Sequence, residues 1–105
     1  MSKFKSTIQN DSDLLTIKMS GDFTGLEAKN QEPQMLTAIS QTPAKSVLID
    51  MADVALIDSL GISTLFQCYH KSLDRKLGIK ISKPVDYVKK VLHLASVDRI
   101  IPIES

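Results

Sequence analysis

Short apolar runs of period two alternate along this chain with longer stretches of helical period, and few folds accommodate that alternation. Leu15, Ile17 and Met19 fall on one side of the segment Leu14–Met19, the signature of a half-buried strand. The segment Phe4–Gln9 alternates more loosely. The polar Asn10-Asp11-Ser12-Asp13 between the two predicts a hairpin. Ser20-Gly21-Asp22 predicts the end of the second strand. Ser46–Met51 is a compact β-branched run, expected to be a strand buried on both faces, and Val54–Ile57 is a second apolar patch ending at Asp58-Ser59.

Helical spacing fills the intervals. Leu65, Cys68, Tyr69, Ser72, Leu73 and Leu77 predict a helix from Leu60 to about Leu77, with Gly78 as its stop. Pro84 opens another helix, with Val85, Val88, Val91, Leu92 and Ala95 on one stripe. Met35, Leu36 and Ile39 suit a helix face. Pro33 lacks an N–H donor and clashes with a preceding turn, so that helix is expected to begin near Pro33, leaving residues 24–32 as loop or a short turn. Ile79–Ile81 reads as a short strand and Ile100–Ile103 as a final extended piece. The order β-β-α-β-α-β-α predicts an α/β domain: a mixed sheet of four to five strands, helices packed mainly on one face, and right-handed crossovers between parallel neighbours.

Composition bounds the function. At 105 residues and 43% hydrophobic, the chain has the size of one domain, 1–105, and enough apolar content for a core without disulfides or metals. The longest charge-free runs, Pro33–Ala44 and Ser59–His70, are twelve residues each, too short to span a bilayer. The start, Met1–Lys5, has no apolar core after its charges and does not read as a secretory signal. A single cysteine, Cys68, cannot pair internally and fits the reducing cytoplasm. A net charge of +1 argues against general nucleic-acid binding. Residues 71–90 nevertheless carry seven basic and two acidic residues, read either as a solvated helix surface with cations near a helix C-terminus or as a basic docking patch.

The stretch Ile57–Leu65 holds the most chemistry. A strand-like run stops at Asp58 and a helix starts around Leu60. Asp58 and Ser59 therefore sit where N-caps belong, their oxygens able to accept from the free N–H groups of the first turn. Gly61 in that turn is expected to leave the backbone accessible. A helix N-terminus favours an anion, so a phosphate on Ser59 would be well placed, opposed only by the neighbouring Asp58. The simpler alternative makes Ser59 a cap and nothing more.

Asp58-Ser59-Leu60-Gly61-Ile62-x-x-Leu65 resembles the D-S-x-G-[LIV]-x-x-L signature of the STAS domain, most closely that of stand-alone bacterial anti-sigma-factor antagonists. Gly21-Asp22-Phe23 resembles the family's turn after the second strand, and Val47–Met51 its strand ending in an Asp just before the signature. Val88–Leu94 with Val97–Ile103 resembles its closing helix and tail. The resemblance covers nearly the whole chain and implies a STAS-type domain. It departs at Thr24, where many relatives carry a second Asp, and at Pro33, where they run uninterrupted.

The resemblance implies that Ser59 is a phosphorylation site, that Asp58 belongs to the partner-binding set and orients or tunes that hydroxyl, and that Leu60, Gly61 and Ile62 form the exposed rim of the contact, bordered by Asp22. It implies a cycle in which the unphosphorylated protein binds an anti-sigma factor that is also a histidine-kinase-like serine kinase, phosphorylation releases it, and a PP2C-type phosphatase restores the hydroxyl. The alternative within the family is a scaffolding subunit of a stress-sensing or lipid-transport ABC complex.

Enzyme readings find little support. Ser59 and His70 lie eleven residues apart on one predicted helix, about 16 Å along its axis, far beyond the ~3 Å of a nucleophile–base pair. There is no G-x-S-x-G elbow or Walker loop, and Cys68, His70 and His93 lack metal-ligand spacing. No catalytic residue, metal or cofactor is expected. Cys68 reads as a small buried hydrophobe, Phe66 and Tyr69 as core, and His93 as surface.

Overall fold

A computed structural model describes residues 3–105; the first two residues of the stretch Met1–Lys5 lie outside the described residues. The chain runs β1 (Lys5–Asp11), β2 (Leu14–Phe23), α1 (Gly25–Gln41), β3 (Ser46–Ile57), α2 (Ser59–Asp74), β4 (Gly78–Ser82), α3 (Asp86–Leu94), a 3₁₀ turn (Val97–Arg99) and β5 (Ile103–Glu104). The strands form one sheet in sequence order. β1 and β2 are antiparallel, and β2–β3, β3–β4 and β4–β5 are parallel, so the sheet is mixed and five-stranded, at the upper end of the expected range.

The hairpin forms where the polar turn predicted it. Its two-residue loop, Ser12-Asp13, needs a left-handed residue to match the strand twist, and Ser12 supplies it at φ 52°. The Asp13 carbonyl accepts from the Lys45 and Ser46 N–H groups at 3.0 and 3.1 Å, which joins the turn to the start of β3.

Burial alternates along the central strands. Leu15, Ile17 and Met19 are fully buried, as are Val47, Ile49 and Met51, while Lys18 between the first set is exposed and Leu48 and Asp50 are half-buried. The register pairs Ile8, Ile17, Ile49 and Ile81 across four strands. β3 is therefore buried on one face only, not on both as its composition suggested. α1 and α2 pack on each other, α1 against β1 and β2 and α2 against β3 and β4, while α3 lies against β3. All the buried apolar residues join one core.

Four expectations are corrected. Ser20-Gly21-Asp22 does not end β2: the strand continues to Phe23 through register shifts that Gly21 permits at φ 87°, and a Cβ there would come within 2.3 Å of the Lys3 carbonyl. Val54–Ile57 is not a separate patch but the second half of β3, which pairs with β2 on both sides of that shift. Residues 25–32 are helix, not loop. Pro33 sits inside α1 on its exposed side, and the first half of the helix is held by polar contacts. Phe4 N–H donates to Glu27 Oε2 at 3.1 Å, and Gln31 donates to the Phe4 carbonyl at 3.0 Å.

Finally, α2 ends through Lys76, not Gly78. Lys76 is left-handed at φ 57°, and Leu77 N–H donates back to the Ser72 carbonyl at 2.9 Å, the Schellman arrangement. Gly78 opens β4 instead.

The basic run 71–90 is divided among several tasks. Arg75 Nη1 donates to the Ile39 and Thr42 carbonyls at 2.8 and 2.7 Å, a cation at the C-terminal end of α1 where the helix dipole favours it. Lys80 pairs with Glu104 at 3.0 Å across exposed surface.

The fully buried Ile49 lies in the middle of the central strand. Ile49→Ala should cost about 2–5 kcal/mol of unfolding free energy through lost burial and the cavity left behind. Urea denaturation followed by circular dichroism measures it; an unchanged midpoint would contradict the packing described.

Candidate functional site

The parallel register pairs Phe23 with Ile57, so β2 and β3 finish side by side, and each feeds directly into a helix. Two helix N-termini thus meet at one end of the sheet. Each brings N–H groups without intrahelical acceptors, and a single side chain serves both. Asp58 Oδ1 accepts from Leu60 N–H at 3.0 Å and Gly61 N–H at 3.1 Å, capping α2. Asp58 Oδ2 accepts from Gly25 N–H at 3.0 Å, at the first residue of α1. The residue preceding α1, Thr24, makes no side-chain cap of its own.

The cap is therefore Asp58, and Ser59 is the first residue of α2. Ser59 is exposed. Leu60 and Ile62 are half-buried, and Ile62 packs against the core. Gly61 and Asp22 differ from expectation. Gly61 is buried and turned inward: a Cβ there would stand 2.3 Å from the Phe23 carbonyl oxygen and 3.0 Å from the Ile57 side chain. The missing side chain does not open the backbone to the outside; it lets the first turn of α2 press against the end of β2. Asp22 is only 8% accessible and lies inside the strand end, not on an exposed rim. Beneath it Phe23 stacks on Phe4, ring centroids 4.7 Å apart.

Two apolar side chains that the sequence did not single out flank this end. Leu26, one residue past Gly25, is 75% exposed, and Leu56, two residues before Asp58, is 45% exposed. They are two of seven large apolar side chains left exposed among the described residues, the others being Leu73, Val85, Tyr87, Leu94 and Ile100. Leu26 falls in the stretch 24–32 expected as loop or a short turn, where periodicity assigns it no face.

A second polar cluster joins α1 to α2 one turn further on. Lys29 Nζ donates to Glu32 Oε1 at 2.7 Å and to Ser63 Oγ at 2.9 Å, and Thr64 Oγ1 donates to the same Glu32 oxygen at 2.8 Å. Thr64 is fully buried, and a buried hydroxyl must find a partner. The signal available in the sequence was the pair Ser63-Thr64 within the charge-free run Ser59–His70.

The remaining candidates lie elsewhere. Cys68 is fully buried on α2, and burial, with Glu32 adding a smaller push, raises its thiol to about 12. His93 is exposed and 2.7 Å from Asp98, whose carboxyl that hydrogen bond holds below the usual range. Among the described residues no three His, Cys, Asp or Glu side chains gather as metal ligands would, and no helix is long and apolar enough to cross a membrane.

Comparison with known proteins agrees with this architecture. The family model of the STAS domain matches residues 5–105. A putative anti-sigma factor antagonist from Thermotoga maritima superposes with a TM-score of 0.86 at 16% identity, over 95% of this chain and 86% of that one. An anti-sigma factor antagonist from Mycobacterium paratuberculosis gives 0.85 at 18% identity, over 96% and 85%. The anti-sigma factor antagonist SpoIIAA in its unphosphorylated form gives 0.81 at 13% identity, over 96% and 89%, and the phosphorylated form of SpoIIAA, from Bacillus, gives 0.73 at 12%, over 96% and 92%.

Two outcomes check this geometry. Asp58→Ala should cost about 1–3 kcal/mol, because three N–H donors lose their acceptor, and Asp58→Asn, which keeps one carbonyl oxygen, should cost less. Denaturant titration ranks the two. Cys68 in the native protein should resist a thiol reagent at pH 8 and react once the chain is unfolded; rapid native labelling would contradict its burial.

Proposed function

Because the chain belongs to the STAS domain family, we propose that it acts as an anti-sigma-factor antagonist, a protein-binding module switched by phosphorylation of Ser59. The observation that carries this reading is Ser59 itself, exposed as the first residue of α2 and directly after the carboxylate that caps both helices. In this reading the unphosphorylated surface, formed by Ser59, Leu60, Ile62, Leu26 and Leu56 with Asp58 at its centre, docks on an anti-sigma factor that is also a histidine-kinase-like serine kinase. Gly61 and Asp22 serve it from within, by shaping the turn. The setting is the bacterial cytoplasm, with no membrane insertion and no direct nucleic-acid contact.

The electrostatics support a release switch. Asp58 already takes the Leu60 and Gly61 N–H groups that would otherwise receive an anion at the helix N-terminus. A phosphate on Ser59 therefore brings about −1.5 to −2 charges to a surface where Asp58 already carries one. Burying that charge against a partner's apolar side is unfavourable unless the partner supplies cations. Transfer of the γ-phosphoryl group of ATP to Ser59 Oγ thus ends the complex, and a PP2C-type phosphatase restores the hydroxyl. The chain contributes the acceptor and the surface, and the chemistry belongs to its partners.

Ser59→Ala should retain binding to the kinase partner and accept no phosphate. Ser59→Glu should bind at least tenfold more weakly, about 1.4 kcal/mol. Leu26→Ala should weaken binding by about 1–2 kcal/mol while leaving the unfolding midpoint unchanged, since an exposed side chain contributes little to the fold. Isothermal titration against the purified partner reads all three; equal affinity of Ser59→Glu and wild type would contradict a charge-based switch.

A further inference from the structure

The first two turns of α2 carry Ser59 and Ser63 four residues apart, neighbours on one helix face with Cβ atoms about 5–6 Å from each other. Lys29 of α1 already reaches that face, its ammonium 2.9 Å from Ser63 Oγ and 2.7 Å from Glu32 Oε1. It is not locked in a closed interior, since its side chain keeps 30% of its exposure. Its stem is long and flexible, and its head is a compact charge with three rotatable donors. One neutral hydroxyl and one carboxylate hold it, and that carboxylate is also satisfied by Thr64.

Resting on the reading of Ser59 as a phosphoacceptor, we infer that Lys29 is the residue that takes up the phosphate charge, moving from Ser63 to the phosphoryl oxygens of modified Ser59. The exchange replaces a hydrogen bond from the ammonium to a neutral hydroxyl by one to a dianion, in which donor and acceptor are both charged. Glu32 keeps its hydrogen bond from Thr64, and the freed Ser63 hydroxyl lies on a partly exposed face where water can reach it. Asp58 cannot do this work, being anionic, and Glu27 is turned away to the Phe4 N–H. The polar clasp between α1 and α2 is thereby remade by modification, so the change is felt on Leu26, which lies one helical turn from Lys29 on α1. The surface is altered in shape as well as in charge.

The test does not depend on the kinase. Phosphoserine is placed at position 59 during synthesis, and the second ionisation of the phosphate, near 6 in a free phosphoserine, is followed by ³¹P NMR in wild type, Lys29→Met and Ser63→Ala. A nearby cation stabilises the dianion and lowers that midpoint, while Asp58 and Glu32 oppose it equally in all three proteins. Lys29→Met should raise the midpoint by about 0.5 unit or more, and Ser63→Ala, which removes only the competing acceptor, should leave it unchanged or lower it. Equal midpoints in wild type and Lys29→Met would overturn the assignment, as would an equal rise in Ser63→Ala, which would trace the effect to helix packing. Phosphosite mapping of the protein from its own cells tests separately whether Ser59 is modified at all, so failure of that reading is distinguishable from failure of this one.

Discussion

One carboxylate holds together the end of the sheet on which the rest depends. Asp58 accepts from Gly25, Leu60 and Gly61, and so satisfies donors of two helices that begin side by side. Without such a shared acceptor, parallel strands feeding two adjacent helices would crowd unpaired N–H groups into one half-buried corner. The glycine three residues on completes the arrangement. Only a residue without Cβ allows α2 to approach the Phe23 carbonyl closely enough for the cap to reach both helices. The carboxylate and the glycine are two halves of one geometric solution, and the serine between them is left facing outward.

That solution has an electrostatic consequence for the proposed switch. A helix start usually welcomes an anion, but here the donors of α2 are already committed to Asp58. A phosphate on the adjacent serine gains little from the helix and must be met by a mobile cation or by water. Lys29 is the cation built into the neighbouring face, held by contacts that can be exchanged. The thiol of Cys68, by contrast, is buried and pushed away from reactivity, and takes no part in this exchange.

What the sequence disclosed followed from where burial is carried by apolar side chains. The hairpin, the core of β3, the helix after Ser59 and the Val88–Leu92 part of the α3 stripe were legible from period two or period 3.6; Val85, expected on that stripe, is exposed and precedes the helix, which begins at Asp86. The first half of α1 was not legible, because its attachment runs through Glu27, Gln31, Lys29 and Glu32, whose partners lie 23 to 34 residues away. The β2 break and the divided β3 were misread together, since Gly21 and the residues after Asp50 look like ends when seen singly and form one register shift when paired. At the site, Asp58 and Ser59 were placed correctly at the helix start, while the roles of Gly61 and Asp22 were reversed from exposed to internal. A glycine in a first turn carries no label for which side it faces; only the contact with Phe23 decides it.

The most direct measurement recovers partners of wild type and of a charged variant at the same position from the source cells, identifies them by mass spectrometry, and maps phosphate on the endogenous protein. The account predicts a histidine-kinase-like ATPase with wild type alone and phosphate on Ser59. Equal recovery of transporter or scaffold subunits by both forms, with Ser59 unmodified, would contradict it and leave the serine as the first residue of a helix capped by its neighbour.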